Sequence, residues 1–255
     1  MAAAARELAG AARRLRNADP VLAGVIDRIG IDGLDDPRRG RLPHDHYGAL
    51  VRSIVGQQVS TKAAAAIYGR LTERYGGRAP TPEEVLAEDP ETLRAAAGLS
   101  HAKLRYLRSL AQHAVDGSLE LDQLEHLSDE EVMAELLAVK GIGPWTAQTF
   151  LMFHLQRADV LPVGDLGIRR AMMIEYGLPA LPGPAETEKI AEVWRPHRTL
   201  ACRFLWRTLH APLAPGSSGR AVQTAETSSS SATRNEEPQP QAAITLGFST
   251  LKPAP

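Results

Sequence analysis

Apolar residues along this chain recur at helical spacing, and no stretch alternates apolar with polar as a half-buried strand would. The clearest helices carry their own start and stop signals. Ser128 with Glu131 three residues on is a capping-box start, and Leu136, Leu137 and Val139 give the helix that follows an apolar side. Gly141 then offers a helix-ending position that tolerates positive φ, and Gly143-Pro144 restarts a helix where proline's missing N–H costs nothing. This next helix, Pro144–Leu155, is apolar enough (Trp145, Phe150, Leu151, Phe153) to lie in the core. A loop over 157–164 leads to Asp165, which opens a helix over Leu166–Tyr176. Upstream, the pattern predicts helices over residues 1–18, from Asp19-Pro20 to Ile29, over Asp45–Gly56, and over Ser60–Tyr75 with Ser60 as N-cap. Residues 80–127 read as short helices punctuated by Pro82, Pro90, Gly98 and Gly117. Past a proline-rich turn at 179–184, two last helices are expected near Ala185–Trp194 and His197–His210. The fold class is all-α.

Composition divides the chain. Residues 1–40 form an N-terminal helical extension, ending in a polar connector at Asp35–Pro43, and 41–211 form the core. From 212 to 255 the chain turns to Ser, Thr, Ala, Gln and Pro, with Ser228–Ser231 unbroken, and such a segment is expected to be disordered. The 255 residues are 44% hydrophobic, enough for one core or two small lobes. A single cysteine, Cys202, excludes a disulfide framework and a four-cysteine zinc or iron–sulfur site. No signal peptide or membrane-length apolar run is present, so the expectation is an intracellular protein with no membrane partner, in the cytoplasm with the nucleoid if bacterial.

Net charge, −1, looks wrong for a nucleic-acid binder until it is divided. Residues 41–75 hold five Lys/Arg against two acids, 139–210 nine against six, and 76–138 five against thirteen. The first two segments each carry +3 and the third −8, so the basic charge lies with the segments that carry motifs. In the hairpin Val139-Lys140-Gly141-Ile142-Gly143, glycines without Cβ let a partner reach backbone N–H groups beside a positive helix N-terminus, a place suited to phosphate. Lys140 adds a full charge.

LLAVKGIGPWTA at this hairpin, followed at 161–170 by LPVGDLGIRR, resembles the helix-hairpin-helix DNA glycosylase superfamily, and within it the 3-methyladenine DNA glycosylase II family. LVRSIVGQQVSTKAA at 50–64 and WRPHRTLACRFLW at 194–206 fit the same family, so the resemblance covers roughly Leu42 to Leu209. It implies a two-lobed helical core. Nothing in residues 1–40 has the strand pattern of the β-sheet lobe that precedes the core in better-known members, so a compact form without it is expected. The partner implied is double-stranded DNA containing alkylated bases, bound by a monomer.

The resemblance also implies site residues. Asp165 takes the place of the catalytic aspartate; read alone, it is equally an ordinary N-cap. Trp145 and Trp206 match positions near the flipped base, with core packing as the alternative. Gln57 and Gln58 fall at the turn that probes DNA, though two glutamines at a helix end can simply be solvated. Gly141, Gly143, Lys140 and Thr146 would hold the DNA backbone. A monovalent cation, Na or K, would sit on the backbone carbonyls of Leu137, Val139 and Ile142. Bifunctional glycosylase/lyases place a lysine where this chain has Trp145, which implies a monofunctional enzyme; no redox cofactor or divalent metal is expected. The order Pro162-Val163-Gly164-Asp165 departs from the family's Gly-Pro-Asp and bears on loop shape and substrate range. Gly98-Leu99-Ser100 with Lys103 looks like a degenerate second hairpin, Lys103 and Arg105 reading as a solvated face or as DNA contacts. Arg169 and Arg198 read as structural ion-pair formers, with phosphate contacts as the alternative. A damage-binding protein without catalysis and a glycosylase for mismatched or oxidised bases remain as rivals.

Overall fold

A computed structural model describes residues 2–34, 43 and 45–209, and these form twelve α-helices with no strand among them. The 212–255 tail and most of the 35–43 connector lie outside the described residues. One lobe is built from α3 (His46–Gly56), α4 (Thr61–Arg74), α5 (Pro82–Ala87), α6 (Pro90–Ala97) and α7 (His101–Val115), with α7 packed against α3, α5 and α6. The other joins the two ends of the chain: α1 (Ala2–Ala18) and α2 (Pro20–Ile29) pack with α12 (Arg198–Thr208), which also packs on α10 (Leu166–Glu175). Between them lie α8 (Asp129–Ala138) and α9 (Pro144–Phe153), while α11 (Pro184–Ala191) runs into a 3-10 turn at Glu192–Trp194. Residues 2–29, expected as an extension, are thus part of the second lobe. Their amphipathic helices have an apolar stripe to bury, and α12 supplies surface for it.

Local chemistry sets the helix starts. The Ser128 hydroxyl accepts from the Glu131 N–H while Glu131 reaches back to the Ser128 N–H, the reciprocal pair read from sequence. Ser60 and Ser100 cap α4 and α7 in the simpler way, and Gly98 ends α6 in the left-handed conformation. Two expectations fail on the burial pattern. Val132 and Leu136, continued by Val139 at the C-cap, form the buried stripe of α8, and Leu137, one step round the helix, is 42% exposed. Lys103 is neither solvated nor at a DNA-accessible surface: it is 8% exposed and its Nζ donates to the Val55 carbonyl at 2.6 Å. Arg105 is exposed. Arg198 does pair with Asp159 at 2.9 Å, whereas Arg169 donates to the Pro182 carbonyl at 2.6 Å.

The second lobe closes on Asp19. One carboxylate oxygen caps α2, accepting from the N–H groups of Val21 (2.9 Å) and Leu22 (3.0 Å). The other accepts from the buried Trp194 indole at 2.8 Å and the Tyr176 hydroxyl at 2.5 Å. Burial, with the Asp19 hydrogen bond second, pushes the Tyr176 phenol well above its ordinary range. Asp19→Ala removes the cap and leaves the Trp194 N–H without its acceptor in a dry core. The expected cost is about 3 kcal/mol, read as a lower urea midpoint at unchanged slope. No helix among the described residues is long and apolar enough to cross a membrane.

Candidate active site

The first turn of α9 faces both lobes, and the candidate residues collect around it. Gly143 precedes Pro144 at the start of α9, so Trp145 and Thr146 leave the hairpin at once on a rigid element. Trp145 reaches one lobe and Thr146 the other.

On the α10 side, Asp165 is the N-cap and is 7% exposed. Its Oδ1 accepts from the Ile168 N–H at 2.7 Å, the ordinary capping bond. The rest of the carboxylate is held by tryptophans: Trp206 Nε1 donates to Oδ1 at 2.9 Å and Trp145 Nε1 to Oδ2 at 2.5 Å. Three N–H groups from three segments therefore converge on one carboxylate, at a helix N-terminus whose dipole favours negative charge. Gly167 leaves room for this approach, since a Cβ there would lie 3.0 Å from Asp165 Oδ1 and 3.2 Å from the Trp206 ring. Phe153 supports Trp206 from α9, ring centroids 5.7 Å apart. Cys202 is fully buried nearby, and desolvation, with the Asp165 charge second, pushes its thiol far up, so it offers no nucleophile.

On the other side, Gly141 has φ +97 and lies on the Tyr106 ring. The Gln57 amide crosses from the end of α3 to donate to the Gly141 carbonyl at 2.8 Å and to Thr146 Oγ1 at 3.3 Å. Gln57 and Gln58 thus part company. Gln57 is tied inside the protein, while Gln58 is exposed and held at φ +54, a conformation that costs a non-glycine residue about 1–2 kcal/mol. A cleft of about 290 Å³ lies between this turn and the hairpin, lined by Gln57, Gln58, Tyr106, Gly141, Ile142, Gly143 and Thr146. Lys140 is exposed at its rim.

A tight glycine hairpin between two helices, with a buried aspartate capping the helix after next, is the arrangement that decides the family. The match to the HhH-GPD superfamily of base excision DNA repair proteins runs over residues 51–196 and takes in both. The chain belongs to this superfamily. It is 37% identical over 174 residues to DNA-3-methyladenine glycosylase 1 of Schizosaccharomyces pombe, covering 68% of this chain and 76% of that protein. With DNA-3-methyladenine glycosylase 2 of Escherichia coli it shares 32% identity over 200 residues, 74% of this chain and 66% of the other. Among solved structures it is similar to the S. pombe 3-methyladenine DNA glycosylase in complex with abasic DNA, with a TM-score of 0.70 at 34% identity, over 79% of this chain and 97% of that one.

As a member of the HhH-GPD superfamily, the chain displays the expected all-α core. Three features of its site were not visible in sequence. Both tryptophans spend their indole N–H on Asp165. Gly167 is needed for that contact, and α7 supplies the floor of the hairpin through Tyr106. A stripe at i, i+3, i+6 (Lys103, Tyr106, Ser109) was the one available sign of the last.

Proposed function

We propose that this protein is a monofunctional DNA glycosylase that extrudes alkylated purines from duplex DNA and hydrolyses their N-glycosidic bond in base excision repair. The observation that carries the reading is the buried Asp165 carboxylate, aimed by Trp145, Trp206 and the Ile168 N–H. The names of the relatives, 3-methyladenine glycosylases in several organisms, support it.

One carboxylate suffices for such a substrate. Ordinary glycoside cleavage takes an acid for the leaving group and a second carboxylate for the sugar. A purine alkylated at N3 or N7 is already cationic and leaves neutral, so the acid is dispensable. What remains is to stabilise an oxocarbenium-like sugar and orient a water, and a fixed negative charge in a site shielded from solvent does both. With donors on both oxygens, the carboxylate serves chiefly as an oriented charge. The rings of Trp145 and Trp206, fixed by these bonds, would offer aromatic faces to the cationic base, worth on the order of 1–2 kcal/mol when desolvated.

DNA would be gripped by the hairpin, through the N–H groups of Gly141 and Gly143 and the Lys140 charge, with Gln58 entering the gap left by the extruded base. A Na or K ion on the carbonyls of Leu137, Val139 and Ile142 would help hold the phosphate. Leu137 lies in the last turn of α8, where carbonyls lack an in-helix partner. Trp145 stands where a lyase would carry its amine, so the product is an intact strand with an abasic site. The reading includes a monomer working without redox cofactor or divalent metal.

The test is base release from methylated duplex DNA, with strand breakage scored before and after alkali. Released methylpurine with breaks only after alkali is the expected result. Binding without release would overturn the enzyme reading, and breaks without alkali would overturn monofunctionality. Trp145→Phe separates the indole's two duties, keeping an aromatic face and removing the N–H. We expect kcat to fall about 10-fold with KM nearly unchanged, and Trp206→Phe to cost less, because Oδ1 keeps its Ile168 partner.

A further inference from the structure

We infer that α7 is a positioning element that sets the spacing between the turn at Gln57–Gln58 and the hairpin at Lys140–Gly143. It would do so through one stripe of three residues, Lys103, Tyr106 and Ser109. The inference rests on the reading that turn and hairpin both engage DNA.

These residues follow one another at intervals of three, on one face of α7, and each meets a different part of the DNA-facing surface. Lys103 Nζ donates to the Val55 carbonyl at 2.6 Å. Val55 lies in the last turn of α3, two residues before Gln57, so an ammonium sits at the negative end of the helix that presents the turn. Desolvation lowers the Lys103 pKa, so keeping this group buried costs free energy that the helix end must offset. Tyr106 lies under the hairpin, with its ring filling the space where Gly141 has no Cβ. Ser109 Oγ accepts the Lys140 N–H at 3.2 Å, at the other side of the same hairpin.

Turn and hairpin thus rest on a single rigid rod, about 9 Å from Lys103 to Ser109 at 1.5 Å per residue. Gln57 closes the circuit across the cleft through Gly141 and Thr146. A protein that inserts one element into a duplex while holding the backbone with another needs their separation fixed before binding. Otherwise the ordering is charged against affinity. None of the three stripe residues donates to Asp165, so the stripe acts through these two elements and is not catalytic.

Three variants of the full chain test this on methylated duplex DNA: Lys103→Met, Ser109→Ala and the double variant. Each single change should raise Kd and KM about 5- to 10-fold while kcat stays within about 2-fold, because Asp165 and its tryptophans are untouched. The double variant should bind little worse than the weaker single one. Once either support is released the spacing is free, and the second has nothing left to register. Should Lys103→Met fail to fold, Ser109→Ala with Tyr106→Leu supplies the same cycle. Melting temperatures lowered with Kd and KM unchanged would overturn the inference in favour of a plain packing role, and losses that multiply would overturn it in favour of independent contacts. A wild type that neither binds nor releases base would overturn the functional reading itself, and this inference with it.

Discussion

Asp165→Asn should lower base release from methylated DNA by roughly 10²-fold or more, with affinity for the same duplex nearly intact. The geometry makes this a severe substitution in an isosteric guise. Two N–H donors face Oδ1 and one faces Oδ2, so an amide must turn its own NH₂ toward a donor. The least costly orientation keeps oxygen on the Ile168 and Trp206 side and sets the NH₂ against the Trp145 indole. The variant therefore loses the carboxylate's negative charge and the bond that aims Trp145. Release measured at saturating DNA, alongside a binding isotherm and a melting curve, separates this from a folding defect. Activity within 10-fold of wild type would sink Asp165 as the catalytic carboxylate.

Gly141→Ala should be the most damaging change away from the carboxylate. At φ +97 an L-residue is strained, and its Cβ would lie 2.1 Å from Cγ, 2.5 Å from Cδ1 and 2.6 Å from Cβ of Tyr106. The clash includes the root of the tyrosine side chain, so rotating the ring does not relieve it. We expect a loss of about 3 kcal/mol or more, with DNA affinity falling as the hairpin is displaced. Adding Tyr106→Ala should recover only the part of the clash due to the ring, because the Cβ of residue 106 stays 2.6 Å away, and about 1–2 kcal/mol of backbone strain remains as well. Urea unfolding of both variants checks this. An unaltered midpoint in Gly141→Ala would mean that hairpin and α7 are not packed as described.

Helix-capping boxes, proline at helix starts and glycine at helix ends are local, chemical and written in order. That is why the helices outside residues 80–127 can be read closely from the chain, while α5, α6 and α7 read only as short helices, and why Ser128, Ser60, Asp19 and Asp165 are identifiable as caps before any packing is known. Family membership was legible for a related reason: the hairpin glycines and the capping aspartate are local backbone signals, readable one after another along residues 139–165.

Burial of a single side chain was less legible. Lys103 on a mixed helix face and Leu137 beside Leu136 were both read in the wrong environment, because one helical step decides which neighbour a residue meets. What only the tertiary structure decided are relations between distant segments. Residues 2–29 find their cover on α12, at the far end of the described chain. Trp145 and Trp206, 61 positions apart, meet on the same carboxylate. Gln57 donates to a carbonyl 84 residues away, leaving Gln58 as the side chain that projects. A sequence specifies which groups can donate, accept or cap; which partner each one finds is settled when the hydrophobic faces pack, because only then are the polar groups stranded beside them obliged to pair.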